Sequence, residues 1–124
     1  MIKIEILRKE NSTVGFKISG HALSQAEMKK ASGLYDLICN SVSVLSQSVV
    51  IGIEEVLGIK TNYEIRDGYL YLNLSNLKSE DIDKCQLLLL TFEKSIESVI
   101  ESIKLNFGTK KDGEYIRLVK EEVY

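Results

Sequence analysis

The sequence predicts an α+β domain of two layers, a mostly antiparallel sheet carrying two long helices in the order β-β-α-β-β-α-β. Three observations predict it. Stretches of period-two alternation come in closely spaced pairs, the pattern of antiparallel hairpins. Two much longer stretches repeat their apolar residues every three or four positions, the period of a helix with one buried face. Hairpins separated by long helices fold as helices laid on one side of a sheet. At 124 residues the chain has the size of one domain, residues 1–124, and is long enough to bury a core without staples.

Residues 2–7 read Ile-Lys-Ile-Glu-Ile-Leu, with β-branched Ile2, Ile4 and Ile6 on one side, a half-buried strand. Lys9, Glu10, Asn11 and Ser12 are polar turn material. Val14, Phe16 and Ile18 alternate again, so the two runs form an antiparallel hairpin. Gly20 closes the second strand, and His21, the single histidine of the chain, follows it directly. A glycine there permits a close backbone approach. Residues 22–33 carry helix formers with weak periodicity and end at Ser32-Gly33. They form a short helical turn or a loop, either as a plain surface connection or as a lid over a site.

The central helix is expected over residues 36–57, with Asp36 as its N-cap. Its apolar stripe is Ile38, Val42, Leu45, Val49, Ile53 and Val56, and Gly58 stops it as a C′ glycine does. Residues 61–65 and 69–74 alternate around Arg66-Asp67-Gly68, whose Asp-Gly pair is a tight-turn signal. Ser79 is expected to cap the second long helix, with Glu80, Asp81 and Asp83 in its first turn, where acids complement the helix dipole. Ile82, Cys85, Leu89, Phe92, Ile96, Val99 and Ile103 make its buried stripe. The leucines at 87 to 90 extend apolar surface beyond that stripe, toward a second copy of the chain. Glu93, Glu97 and Glu101 read as a solvated ridge. A lysine-rich turn with Asp112-Gly113 leads to a last strand at residues 115–119, pairing within the sheet. The two ββα halves have the form of a weak pseudo-repeat.

A formal charge of −2 excludes bulk electrostatic attraction for nucleic acid, so no direct nucleic-acid partner is expected. The N-terminus has no apolar signal region, and no apolar run is expected to approach the length of a bilayer span, so a cytoplasmic protein without membrane attachment is expected. Reduced thiols are then expected at Cys39 and Cys85. One histidine and no Cys-x-x-Cys give no metal site, and no cofactor motif is present.

Chemistry points to residues 20–57. Counting from Cys39 by four, seven and eight reaches Ser43, Ser46 and Gln47, so this cysteine opens a polar, hydroxyl-lined face of the central helix. A cysteine kept for packing belongs on the Val/Ile/Leu stripe, where Cys85 lies on the second helix. A thiol beside a base, near a helix N-terminus, is a candidate nucleophile. Cys39 and His21 are that candidate pair. Asp36 either caps the helix or orients the His21 ring. A carboxylate near the thiol disfavours thiolate, which favours capping.

Gly20-His21-Ala22, followed by Asp36-Leu37-Ile38-Cys39-Asn40-Ser41-Val42-Ser43-Val44-Leu45, resembles the ribosomal-processing cysteine protease family, Prp. Its pattern is Gly-His-Ala and then Asp-x-x-Cys-x-x-Val-Ser-x-Leu at the head of a helix. The resemblance implies a β-β-α-β-β-α homodimer that trims the N-terminal extension of a bacterial large-subunit ribosomal protein, cutting after an aromatic residue. It implies Cys39 as nucleophile and His21 as base, with Gly20, Asp36 and Ser43 shaping the site or holding the peptide. The segment between His21 and Asp36 is longer than is usual in the family, and Leu23 stands where a glycine commonly follows. Three functions are left to separate: a cysteine endopeptidase, a non-catalytic ribosome-assembly or peptide-binding module, and a dimeric structural domain with inert cysteines.

Overall fold

The N-terminal hairpin builds the middle of a five-stranded sheet. In this computed structural model the described residues are 1–20, 34–107 and 116–123, without the side chains of 34–36 and 107. The strands are β1 (Ile2–Lys9), β2 (Ser12–Gly20), β3 (Glu64–Arg66), β4 (Tyr69–Asn73) and β5 (Ile116–Glu122), and the helices are α1 (Leu34–Ile51) and α2 (Ser79–Phe107). The order across the sheet is β3-β4-β2-β1-β5. β1 pairs antiparallel with β2, β2 with β4 and β4 with β3, while β5 lies parallel to β1. The expectations for residues 22–33 and for the turn at 108–115 lie outside the described residues.

Alternation decides which face each strand buries. Ile4, Ile6, Phe16 and Leu72 are almost wholly buried and face the helices. Phe16 stacks on Phe92 of α2 with ring centroids 4.4 Å apart. A side-chain amide adds a second link: Gln86 Nε2 donates to the Thr13 carbonyl at 2.7 Å, and the Thr13 N–H donates back to Gln86 Oε1 at 3.0 Å. The turn that continues α1 meets α2 at Gly52, where a Cβ would lie 2.9 Å from Leu88 Cδ1.

The central helix departs from its expected form at both ends. It begins at Leu34, so Asp36 lies inside the first turn rather than at the cap. Its last turn is π-helical over Gly52–Val56, and the Leu57 N–H donates to the Gly52 carbonyl at 2.9 Å. The wider turn puts its residues out of phase with the 3.6-residue period. Ile53 stays in the core, whereas Val56, expected on the stripe, is 79% exposed. Gly58 then takes φ 69°, and the Ile59 N–H closes on the Ile53 carbonyl at 3.0 Å.

Other expectations are corrected too. Residues 61–63 are not in the strand, since Thr61 is tied to Glu54 by its N–H at 3.0 Å and its hydroxyl at 2.7 Å. Ser79 is the first residue of α2 rather than its cap, and the Lys78 carbonyl accepts the N–H groups of Asp81 and Ile82. Glu93 is no part of a wet ridge. It is 3% exposed, with Lys120 Nζ at 3.3 Å and Arg8 Nη1 at 3.8 Å. The long cations of β1 and β5 cover this carboxylate at the sheet edge, which helical periodicity does not reveal. Leu37–Val56 is also long and apolar enough to cross a membrane by length and composition, which corrects the expectation that no apolar run approaches that length. Ile38, Val42, Val49 and Ile53 of this run pack into the core, and 39% of it is buried.

Candidate active site

α1 presents two faces to its surroundings. One buries Ile38, Val42, Val49 and Ile53. Beside it runs the polar face anticipated from residue spacing, carrying Cys39, Ser43, Ser46 and Gln47. All four line one cleft of about 480 Å³. Its floor is apolar, from Ile2, Ile18, Leu70 and Val42. Its far wall is the β3–β4 turn, Arg66 to Tyr69, and Gly20 contributes from the end of β2.

Backbone pairing fixes Gly20 there. It lies opposite Ile2 in the ladder, and its N–H donates to the Gly68 carbonyl at 3.0 Å. Gly68 supports that turn with φ 70°, the conformation that the Asp-Gly signal demands. Arg66 lies over the Tyr69 ring at 4.3 Å, and Lys17 approaches the same ring at 5.9 Å. These stacking contacts stiffen the wall where β2 ends.

The two cysteines occupy opposite settings. Cys39 is half-buried at the cleft, whereas Cys85 is fully buried, and they are not bridged to one another. Burial pushes the Cys85 thiol up from its ordinary value, and the charge of Asp81 adds to it. A buried, protonated thiol is a poor nucleophile. Cys39 lies in the second turn of α1, so its own N–H is already inside the helical ladder, and the helix dipole is weaker there than at the first residues.

Of the site residues read from the sequence, Gly20, Cys39 and Ser43 line one cleft. His21 and the side chain of Asp36 lie outside the described residues. Spacing had already put Ser46 and Gln47 on the Cys39 face. Arg66, Asp67, Gly68 and Tyr69 at the cleft were not anticipated, because their nearness arises from β4 pairing with β2 across the chain, which local pattern does not encode. Among the described residues no cluster of three or more metal-ligating side chains occurs.

The family profile of cysteine protease Prp matches residues 1–107. A search of curated proteins gave no significant match. Among solved structures, the SMU.848 protein of Streptococcus mutans superposes with a TM-score of 0.71 at 21% identity, covering 99% of each chain. The essential ribosomal processing protease Prp of S. aureus, in complex with a covalently linked product peptide, gives a TM-score of 0.67 at 19% identity over 98% of this chain and 100% of that one. The same protease with a substrate peptide gives 0.69 at 17% identity and the same coverage. At these identities the structural likeness establishes the fold.

Proposed function

The chain belongs to the family of cysteine protease Prp, and on that premise we propose that it is a ribosomal-processing endopeptidase using Cys39 and His21. Its substrate is the N-terminal extension of a bacterial large-subunit ribosomal protein, cleaved in the cytoplasm. The observation that carries this reading is the meeting of Cys39 and Gly20 at one cleft. The residue that follows Gly20 in sequence is His21, the only histidine of the chain, which supports it as the base. The S. aureus structures, with peptides bound to the same fold, support it.

The chemistry is acyl transfer in two steps. His21 takes the Cys39 proton, and the thiolate attacks the scissile carbonyl carbon to give a tetrahedral oxyanion. That oxygen is held by donors at the cleft and near the start of α1. His21 then gives its proton to the leaving amine as the C–N bond breaks, and a thioester remains on Cys39. Water attacks the thioester, its proton passes through His21, and the sulfur leaves as thiolate. Gly20 and Ser43 hold the peptide, and Asp36 steadies the helix head or the His21 ring. The apolar floor of Ile2, Ile18 and Leu70 suits a large side chain next to the cut. Two copies associate, in keeping with exposed Leu87 and Leu90 on α2.

The test is to mix the protein with the extended ribosomal protein of the same cell and read intact masses. The native protein removes the extension, and Cys39→Ala and His21→Ala do not. Binding without cleavage by the native protein would assign a peptide-binding module instead.

A further inference from the structure

Four serines lie on α1, at 41, 43, 46 and 48. Three of them turn back onto the helix. Ser41 Oγ donates to the Leu37 carbonyl at 2.9 Å, Ser46 Oγ to the Ser43 carbonyl at 3.1 Å, and Ser48 Oγ to the Leu45 carbonyl at 2.8 Å. That is the ordinary habit of a helical hydroxyl, since a carbonyl one turn back is its nearest acceptor.

Ser43 departs from it. Its Oγ accepts a hydrogen bond from Gln47 Nε2 at 2.8 Å, and among the described residues its own O–H meets no acceptor. A serine hydroxyl has one proton to give and lone pairs to receive. The Gln47 amide occupies a lone pair, and the backbone does not take the proton. Ser43 is one turn beyond Cys39 on the same face, and both line the cleft together with Gln47. The backbone N–H of Cys39 is committed to the helix, so a side-chain donor has a place to fill there.

We propose that Gln47 is a positioning residue that holds Ser43 as a hydrogen-bond donor to a carbonyl oxygen of the peptide bound at Cys39. This rests on the reading of the cleft as a cysteine protease site. Gln47 acts through Ser43, with its amide as the fixed end of a two-link chain running from the outer helix surface to the substrate.

Two replacements separate this role from a structural one. Gln47→Met keeps the length and removes the donor, so Ser43 is released to bond the helix carbonyl behind it. Gln47→Glu supplies an acceptor and takes the Ser43 proton for itself. Cleavage of the extended ribosomal protein is followed for each, for Ser43→Ala and for the double variants. The expected kcat/KM of Gln47→Met and of Gln47→Glu falls about tenfold, as far as Ser43→Ala alone, the size of one lost hydrogen bond. In the Ser43→Ala background neither Gln47 change lowers it further. Gln47 is exposed, so melting temperatures stay at the native value. Native rates in Gln47→Met or in Ser43→Ala, or losses that add to those of Ser43→Ala, overturn the proposal. Cys39→Ala runs in parallel: if it still cleaves, the failure lies with the assignment of the site and not with the Gln47–Ser43 pair.

Discussion

Replacing Glu93 by Gln removes a charge that holds three elements together. The carboxylate belongs to α2, and its partners are Lys120 of β5 at 3.3 Å and Arg8 of β1 at 3.8 Å. At an effective dielectric of about 20 each pair is worth roughly 4–5 kcal/mol before desolvation. Lys120 is 53% exposed and Arg8 29%, so water screens both and cuts each to about 1 kcal/mol. Burying the carboxylate offsets part of that, and Glu93 Oε1 makes no hydrogen bond. With Gln in place, both cations lose the carboxylate they share. The net loss is about 1–2 kcal/mol, or about 4–8 °C in melting temperature for a chain of this length. Differential scanning calorimetry at low and high salt measures it, and the difference from wild type shrinks as salt screens the exposed partners. A Glu93→Gln protein that melts at or above the native temperature at low salt refutes the reasoning, because desolvation then outweighs both attractions.

Gly15→Ala should not accumulate as folded protein, since the new Cβ would lie 1.9 Å from the Leu72 carbonyl oxygen, a backbone atom with no room to yield; soluble yield and circular dichroism check it, with an expected loss of about 4 kcal/mol or more. The Cys85 thiol is raised by burial and by Asp81, so the folded state keeps a proton that the unfolded chain gives up near pH ~8.5. This contribution is whole below that pH and is lost as pH rises above it, and urea titrations across this range show a slope that Cys85→Ala lacks. The Glu54 carboxyl is held below its ordinary value by the Thr61 hydroxyl first and the Thr61 N–H second, with Lys60 adding a little. Its tether is therefore complete above the ordinary carboxylate range and is lost as pH falls through the lowered value; protection of the Thr61 amide from exchange follows that course, and Glu54→Gln weakens it at neutral pH.

Much of this architecture was legible in the chain because the relevant signals are local. The alternation of Ile2, Ile4 and Ile6 and of Leu70 and Leu72 marks strands whose inner faces are buried as read. Asp67-Gly68 placed the turn of the second hairpin, and Gly58 placed the helix stop. The contrast between Cys39 on a polar face and Cys85 on an apolar stripe also follows from counting along helices, and the half-buried and fully buried thiols agree with it. What was not legible depends on geometry beyond one element. Val56 faces water because a π-helical turn shifts the phase after Ile51. Glu93 is buried because β1 and β5 bring Arg8 and Lys120 over it, across wide sequence separations. The β3–β4 turn reaches the cleft because β4 pairs with β2, and nothing in residues 66–69 by themselves points toward Cys39.

The central claim is that the Cys39 sulfur becomes covalently bound to the peptide it cuts. The most direct measurement is an acid quench of the native protein within the first turnover on the extended ribosomal protein, followed by intact and fragment mass spectrometry. A mass increase equal to the released N-terminal segment less one water, located on Cys39 and removed by hydroxylamine, is the predicted result. Efficient cleavage with no adduct on Cys39, or with the adduct on another residue, would contradict it.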